Sequence, residues 1–148
     1  MREILFRGKR CDNDEWVQGY YIRADHHWHK HGIHKDWITL GASANGGWFA
    51  LHNKYAVKAE TVGQFTGLTD KNGQKIFEGD IVSQNWYDYN EPADDSFGEV
   101  VFCEYDCSFS SMDVEKDGIV PLGKCHAYHW EAEVIGNIHD NPELLENP

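Results

Sequence analysis

The sequence predicts an all-β fold: short antiparallel sheets, an SH3-like barrel in the C-terminal half and a short C-terminal helix. Three observations point there. Aromatic residues make up 14% of the 148 residues, and most of them are Trp and Tyr, which suit a pleated, half-buried surface. Apolar runs are short. Turn-forming residues recur at short intervals between them.

The first unit in chain order is a hairpin. Residues 3–9 form one arm, Cys11-Asp-Asn-Asp-Glu15 the turn and residues 16–23 the return. Alternation puts Trp16, Gln18, Tyr20 and Ile22 on one face and Val17, Gly19 and Tyr21 on the other. Residues 24–35 lack a strand pattern, carry His26, His27, His29, His31 and His34, and read as a loop. Short strands are expected over 37–40 and 47–51, with a Gly-, Ala- and Ser-containing loop over 41–47 between them. Residues 55–66 are mixed: Val57, Ala59 and Thr61 alternate, and Val62 and Phe65 follow around Gly63.

Residues 68–77 contain Asn72-Gly73, the strongest short hairpin signal. The Gly79-Asp80 step makes a tight turn that feeds the β-branched pair Ile81 and Val82. Residues 86–97 read as an acidic, aromatic loop. A strand follows over 98–105, and another over 112–122 is interrupted by the turn at Lys116-Asp-Gly118. The last strand covers 132–138. Asn141 as cap, Pro142 at the first helical position and Glu143 after it predict a short terminal helix. Leu144 and Leu145 would pin it to the sheet. This order gives an N-terminal β unit over residues 1–75 and an SH3-like unit with the terminal helix over 76–148. No Pro- or Ser-rich linker separates them, so the halves are expected to share an interface or one domain.

Charge narrows the classes of function. Thirteen basic residues oppose twenty-five acidic ones, for a net charge of −12. The balance stays acidic even with all nine histidines protonated, which weighs against wrapping a nucleic-acid backbone. Mean hydropathy is −0.64, and no apolar run approaches the ~20 residues of a membrane span. Only Ile4, Leu5 and Phe6 are contiguous near the start, short of the apolar core of a secretory signal. A cytoplasmic location is therefore expected, where Cys11, Cys103, Cys107 and Cys125 stay reduced.

Each chemical constellation has a plainer structural reading. Gly63, Gly67, Gly73 and Gly79 lack the following helix of a phosphate-binding loop and read as β turns. Cys103 and Cys107 with Cys125, His126 and His129 have spacings compatible with zinc. The alternative is packed thiols beside an aromatic surface. The histidines at 26–34 suit adventitious metal binding on a solvated loop. Asp113, Glu115 and Asp117 resemble the start of a calcium loop, but Lys124 stands where a bidentate Glu is required. Trp86, Tyr87, Asp88, Tyr89, Asp94 and Asp95 combine ring anchors with steering charge and are the candidate protein-binding residues. The plainer reading of that stretch is a solvated acidic loop. No nucleophile, zincin or hydrolase motif occurs, so no catalytic residue and no cofactor is expected.

Several strings also resemble a known family. Ile4-Leu-Phe-Arg-Gly-Lys9, Trp16-Val-Gln-Gly-Tyr20, Thr61-Val-Gly-Gln-Phe-Thr-Gly-Leu-Thr-Asp-Lys-Asn-Gly73, Ile76-Phe-Glu-Gly-Asp-Ile-Val82, Val134-Ile-Gly-Asn-Ile138 and Asn141-Pro-Glu-Leu-Leu145 are similar, in order, to the YopX-like proteins of bacteriophages and prophages. The resemblance implies a mostly-β phage protein with an SH3-like portion and no established activity. The histidine-rich segment and Cys103, Cys107 and Cys125 lie outside the pattern. The expectation is a non-enzymatic accessory protein in the bacterial host cytoplasm that binds itself and a phage or host protein, with no membrane partner. The alternatives are a nucleic-acid-associated or DNA-mimicking protein and a small zinc-binding protein.

Overall fold

The structure, a computed structural model, describes residues 3–23, 36–45, 48–87, 94–113, 118–123 and 129–146. The chain divides into two compact units, Met1–Phe65 and Thr66–Pro148. The division falls ahead of the Asn72-Gly73 hairpin, whereas the sequence reading places it after that hairpin.

In the first unit, β1 (Phe6–Lys9) and β2 (Trp16–Arg23) form the expected hairpin, with Phe6 opposite Gly19 and Lys9 opposite Trp16. Asp14 at the turn adopts φ 61°, a left-handed conformation that a short polar side chain tolerates. β3 (Asp36–Asn45) pairs with β2, and β4 (Trp48–Ala56) pairs with β3. The ladder continues to Asn45 opposite Trp48. It therefore runs through most of the expected loop at 41–47. Small residues carry no strand signal of their own, but they complete a ladder once Trp37, Ile38 and Thr39 have set its register.

A 3-10 turn at Ala59–Thr61 follows, and Thr61 Oγ1 accepts from the Lys9 amide at 2.8 Å. β5 begins at Gly63 (Gly63–Thr69) and pairs with the free side of β1. Ile38 and Val57, both nearly inaccessible, centre this unit's core. Gly19 permits the close approach of β3, because a Cβ there would overlap the Thr39 carbonyl oxygen.

In the second unit, β6 (Lys75–Phe77) returns beside the end of β5, and Thr66 Oγ1 donates to the Ile76 carbonyl at 2.9 Å. Gly73, with φ 83°, makes the expected turn between them. β7 (Asp80–Tyr87), β8 (Asp94–Cys103), β9 (Ser108–Asp113), β10 (Gly118–Pro121) and β11 (His129–Asn137) form one antiparallel sheet in the order β10-β9-β8-β7-β11. No pairing joins β10 to β11 among the described residues, and no closed barrel is found among them. Ile76, Val82, Val100, Trp130 and Ala132 form its core, with Leu68, Leu122 and Val134 packed against them.

The Gly79 turn, φ 76°, holds three segments together. The Gly79 amide donates to the Val100 carbonyl, and the Gly79 carbonyl accepts from the Ile138 amide, both at 2.9 Å. The terminal helix α1 (Glu143–Glu146) is a single turn. Leu144 lies so close to Gly136 that a Cβ there would meet its Cδ1 at 2.8 Å, which is the expected anchorage to the last strand. No helix among the described residues is long and apolar enough to cross a membrane.

Candidate functional site

The aromatic–acidic stretch is built differently from the expected loop. Trp86 and Tyr87 end β7, and Asp94 and Asp95 open β8. Register places Trp86 between Asp94 and Trp130, Tyr87 opposite His129 and Asn85 opposite Asp95. Four of the six candidate residues thus occupy ladder positions at one end of the sheet, and Asp88 and Tyr89 lie outside the described residues. Trp and Tyr favour the pleated surface, so the ladder extends into sequence that charge alone marks as loop.

Beneath that end lies a polar network. Gln84 is fully buried; its Oε1 accepts from Trp130 Nε1 at 2.8 Å, and its Nε2 donates to Ser96 Oγ at 3.3 Å. One side chain therefore ties β11, β7 and β8 together.

The opposite face of the same sheet carries an apolar rung. Ile119 of β10 stands opposite Met112 of β9, Met112 opposite Glu99 of β8, and Glu99 opposite Ile81 of β7. Ile119 and Met112 are 52% and 50% exposed. Burial beside these neighbours pushes the Glu99 carboxyl above its ordinary value. Sequence reading missed this rung. Periodicity marks Met112 and Ile119 as strand residues, but their pairing depends on the register across two turns.

Of the proposed zinc ligands, the structure describes Cys103, Cys107 and His129, and it does not bring His129 to the two cysteines. Cys103 is buried at the end of β8, and Cys107 is exposed with φ 50°. The Cys107 thiol donates to the Glu104 carbonyl at 3.5 Å, and the Cys103 thiol lies 3.8 Å from Asp106 Oδ2. His129 belongs at the other end of the sheet, because it pairs with Tyr87 beside the Trp86–Asp94 rung. Strand rise puts about 30 Å between the Asp94 and Cys103 ends of β8. Cys125 and His126 lie outside the described residues, as do the histidines at 26–34 and the acidic Glu115 and Asp117. Among the described residues no three His, Cys, Asp or Glu side chains cluster as a metal site. Asp113, the first position of the calcium-like string, is buried in β9.

The first unit holds an open depression of about 470 Å³ lined by Arg10, Cys11, Asp12, Lys54, Tyr55 and Ala56. The Arg10 guanidinium grips Asp12 through two bonds, of 2.9 and 2.6 Å, and lies 4.6 Å from the Tyr55 ring centroid. Those bonds hold the Asp12 carboxyl below its ordinary value. Burial pushes the Cys11 thiol up, and Lys58 opposes that only in part. Burial and a short bond to Asp36 likewise raise the Tyr21 hydroxyl. Cations also lie over the indoles of this unit: Arg7 at 4.7 Å and Lys9 at 5.5 Å from the Trp16 ring, and Lys54 at 5.3 Å from the Trp37 ring.

No curated protein matches the chain. Among solved structures it is similar to the crystal structure of protein EF1440 from Enterococcus faecalis, at 21% identity and a TM-score of 0.46, covering 98% of this chain and 99% of that one. The family described as YopX protein matches residues 5–146, which takes in every sequence block singled out above except Ile4 at its edge, and the chain therefore belongs to the YopX family.

Proposed function

We propose that this YopX-family chain is a non-enzymatic accessory protein of phage or prophage origin, acting in the host cytoplasm by binding protein, a second copy of itself included. The observation that carries this reading is the half-exposed Ile119–Met112 pair of the second unit. Two large apolar side chains half exposed on adjacent strands, next to a carboxyl already raised by desolvation, make a surface whose burial by a partner is favourable. β10, with Ile119 at its centre, ends the sheet order among the described residues, and an end strand is where an added strand would pair. The same reading treats the β7–β11 sheet as SH3-like: β7 to β10 run in sequence, and β11 returns beside β7.

Light scattering across a concentration series tests the self-association. The expected result is a mass that rises with concentration and reverts to that of one chain in Ile119→Lys and Met112→Lys proteins. A single-chain mass at every concentration, unchanged by these substitutions, removes self-binding through this face.

A further inference from the structure

Net charge conceals a segregation. Met1–Phe65 carries nine Lys and Arg against seven Asp and Glu, whereas Thr66–Pro148 carries four against eighteen. The acidity that weighs against nucleic acid thus belongs to the second unit.

Within the first unit, register sorts the charges further. Lys9 stands opposite Trp16, Tyr20 opposite Thr39, and Thr39 opposite Lys54, while Ile22 stands opposite Trp37. Residues paired across a ladder share a face, as do residues two apart in a strand. Arg7, Lys9, Trp16, Tyr20, Trp37 and Lys54 therefore share one face of the β1–β4 sheet. Ile38 and Val57 centre the core on the other face. The only carboxylate in these four strands, Asp36, belongs to the core-side set with Tyr21 and Arg23. Among the described residues of these four strands, all the formal charge on the first face is positive.

We propose that this face binds single-stranded nucleic acid, with the rings stacking bases and the lysines meeting phosphates. Trp16 and Tyr20 lie about 13 Å apart along β2, giving separate positions for two bases. Tyr20 is 58% exposed. Arg7, largely buried, lies over the Trp16 ring and fixes it, while Lys9 and Lys54 reach their rings from less buried positions. A base stacked on an exposed ring outweighs a cation–ring pair there, so either lysine can move from ring to phosphate as a strand settles. A duplex hides its base faces and leaves the rings unused. An acidic peptide would satisfy the lysines but leaves the three rings without bases to stack on.

The test is fluorescence anisotropy of a labelled oligothymidylate of about 15 nucleotides, titrated with the full chain at low and moderate salt. The expected result is micromolar binding whose logarithm falls with log salt at a slope near −1.4, as two phosphate contacts on a single strand require. Tyr20→Ala should weaken it by about 5- to 100-fold, the loss of one stacked base, with recovery in Tyr20→Trp. Lys54→Glu should weaken binding and flatten the salt slope. Tyr105→Ala, which removes an exposed ring of the second unit, should bind as the unsubstituted chain does. No binding at low salt overturns the proposal. So does equal affinity for a duplex or a polyglutamate, or indifference to both Tyr20→Ala and Lys54→Glu. These outcomes leave self-association through Ile119 and Met112 untouched, so the two readings fail separately.

Discussion

The indole N–H of Trp130 donates to the side-chain carbonyl of Gln84 at 2.8 Å, across neighbouring strands and inside the core. Trp130 packs with Val82, Val100 and Ala132, so this bond joins the apolar core of the second unit to a fully buried amide. The amide continues to Ser96, and all the polar atoms of that side chain's end are thereby engaged across three strands.

Removing the donor should therefore cost more than one ordinary hydrogen bond. Trp130→Phe removes the donor to Gln84 Oε1 inside the core and is expected to lower stability by about 2–4 kcal/mol, through the lost hydrogen bond and the smaller ring together. Gln84→Leu in the Trp130→Phe background should recover part of that loss. Urea unfolding of the two single variants and the double variant gives the coupling between the residues. Purely additive losses would remove the network from the account of this core.

Asp70 ties a turn to a distant strand. Its carboxylate accepts from the amides of Asn72 and Gln74 at 2.8 Å and from Val134 at 3.2 Å. Burial alone would raise its pKa, but the backbone donors outweigh burial and hold it below the ordinary 3.8. The stabilisation it gives is present above that ordinary value and is lost as pH falls through the lower, folded value. Asp70→Ala should cost about 2–3 kcal/mol at neutral pH, the worth of hydrogen bonds to a charged group. Urea midpoints of the variant and the unsubstituted chain should converge in strong acid, and a gap independent of pH would refute this role for the charge.

Glu99 behaves in the opposite sense. Its folded pKa lies above the ordinary 4.5 because burial disfavours the anion. The protonated form fits the fold, so its contribution is complete below 4.5 and is lost as pH rises through the folded value. Glu99→Gln is expected to raise the urea midpoint at neutral pH and to leave it unchanged in acid. Carboxyl chemical shifts followed through a pH titration measure the pKa directly, and an ordinary value would contradict the burial argument.

Gly98 and Gly41 separate two reasons for glycine. A Cβ at Gly98 would overlap the Met112 carbonyl oxygen, whereas one at Gly41 meets nothing within 4 Å. Gly98→Ala should lower the melting temperature by forcing β8 and β9 apart, at about 1–3 kcal/mol or more for overpacking. Gly41→Ala should be neutral or slightly stabilising. Equal effects at the two positions would show that β9 gives way easily.

Local chemistry made part of this protein legible in advance. Asn72-Gly73 and Gly79-Asp80 announce turns because glycine reaches positive φ without a Cβ clash, and both glycines adopt it. The alternation Trp16, Gln18, Tyr20, Ile22 announces a strand with two distinct faces. Leu144 and Gly136 were legible as a helix-to-strand contact only in part, since the spacing shows the leucine but not where it lands.

Amino-acid order by itself determined the β class, the turns at Gly73 and Gly79 and the kinship with YopX proteins, because these depend on residues near one another in the chain. Tertiary structure alone decided that residues 41–45 join a ladder, that Met112 meets Ile119 and Glu99, that Gln84 and Asp70 are enclosed, and that Cys103 and His129 stand at opposite ends of a sheet. Those outcomes turn on register, which is set by which strands pair and is worth nothing until both partners are in place.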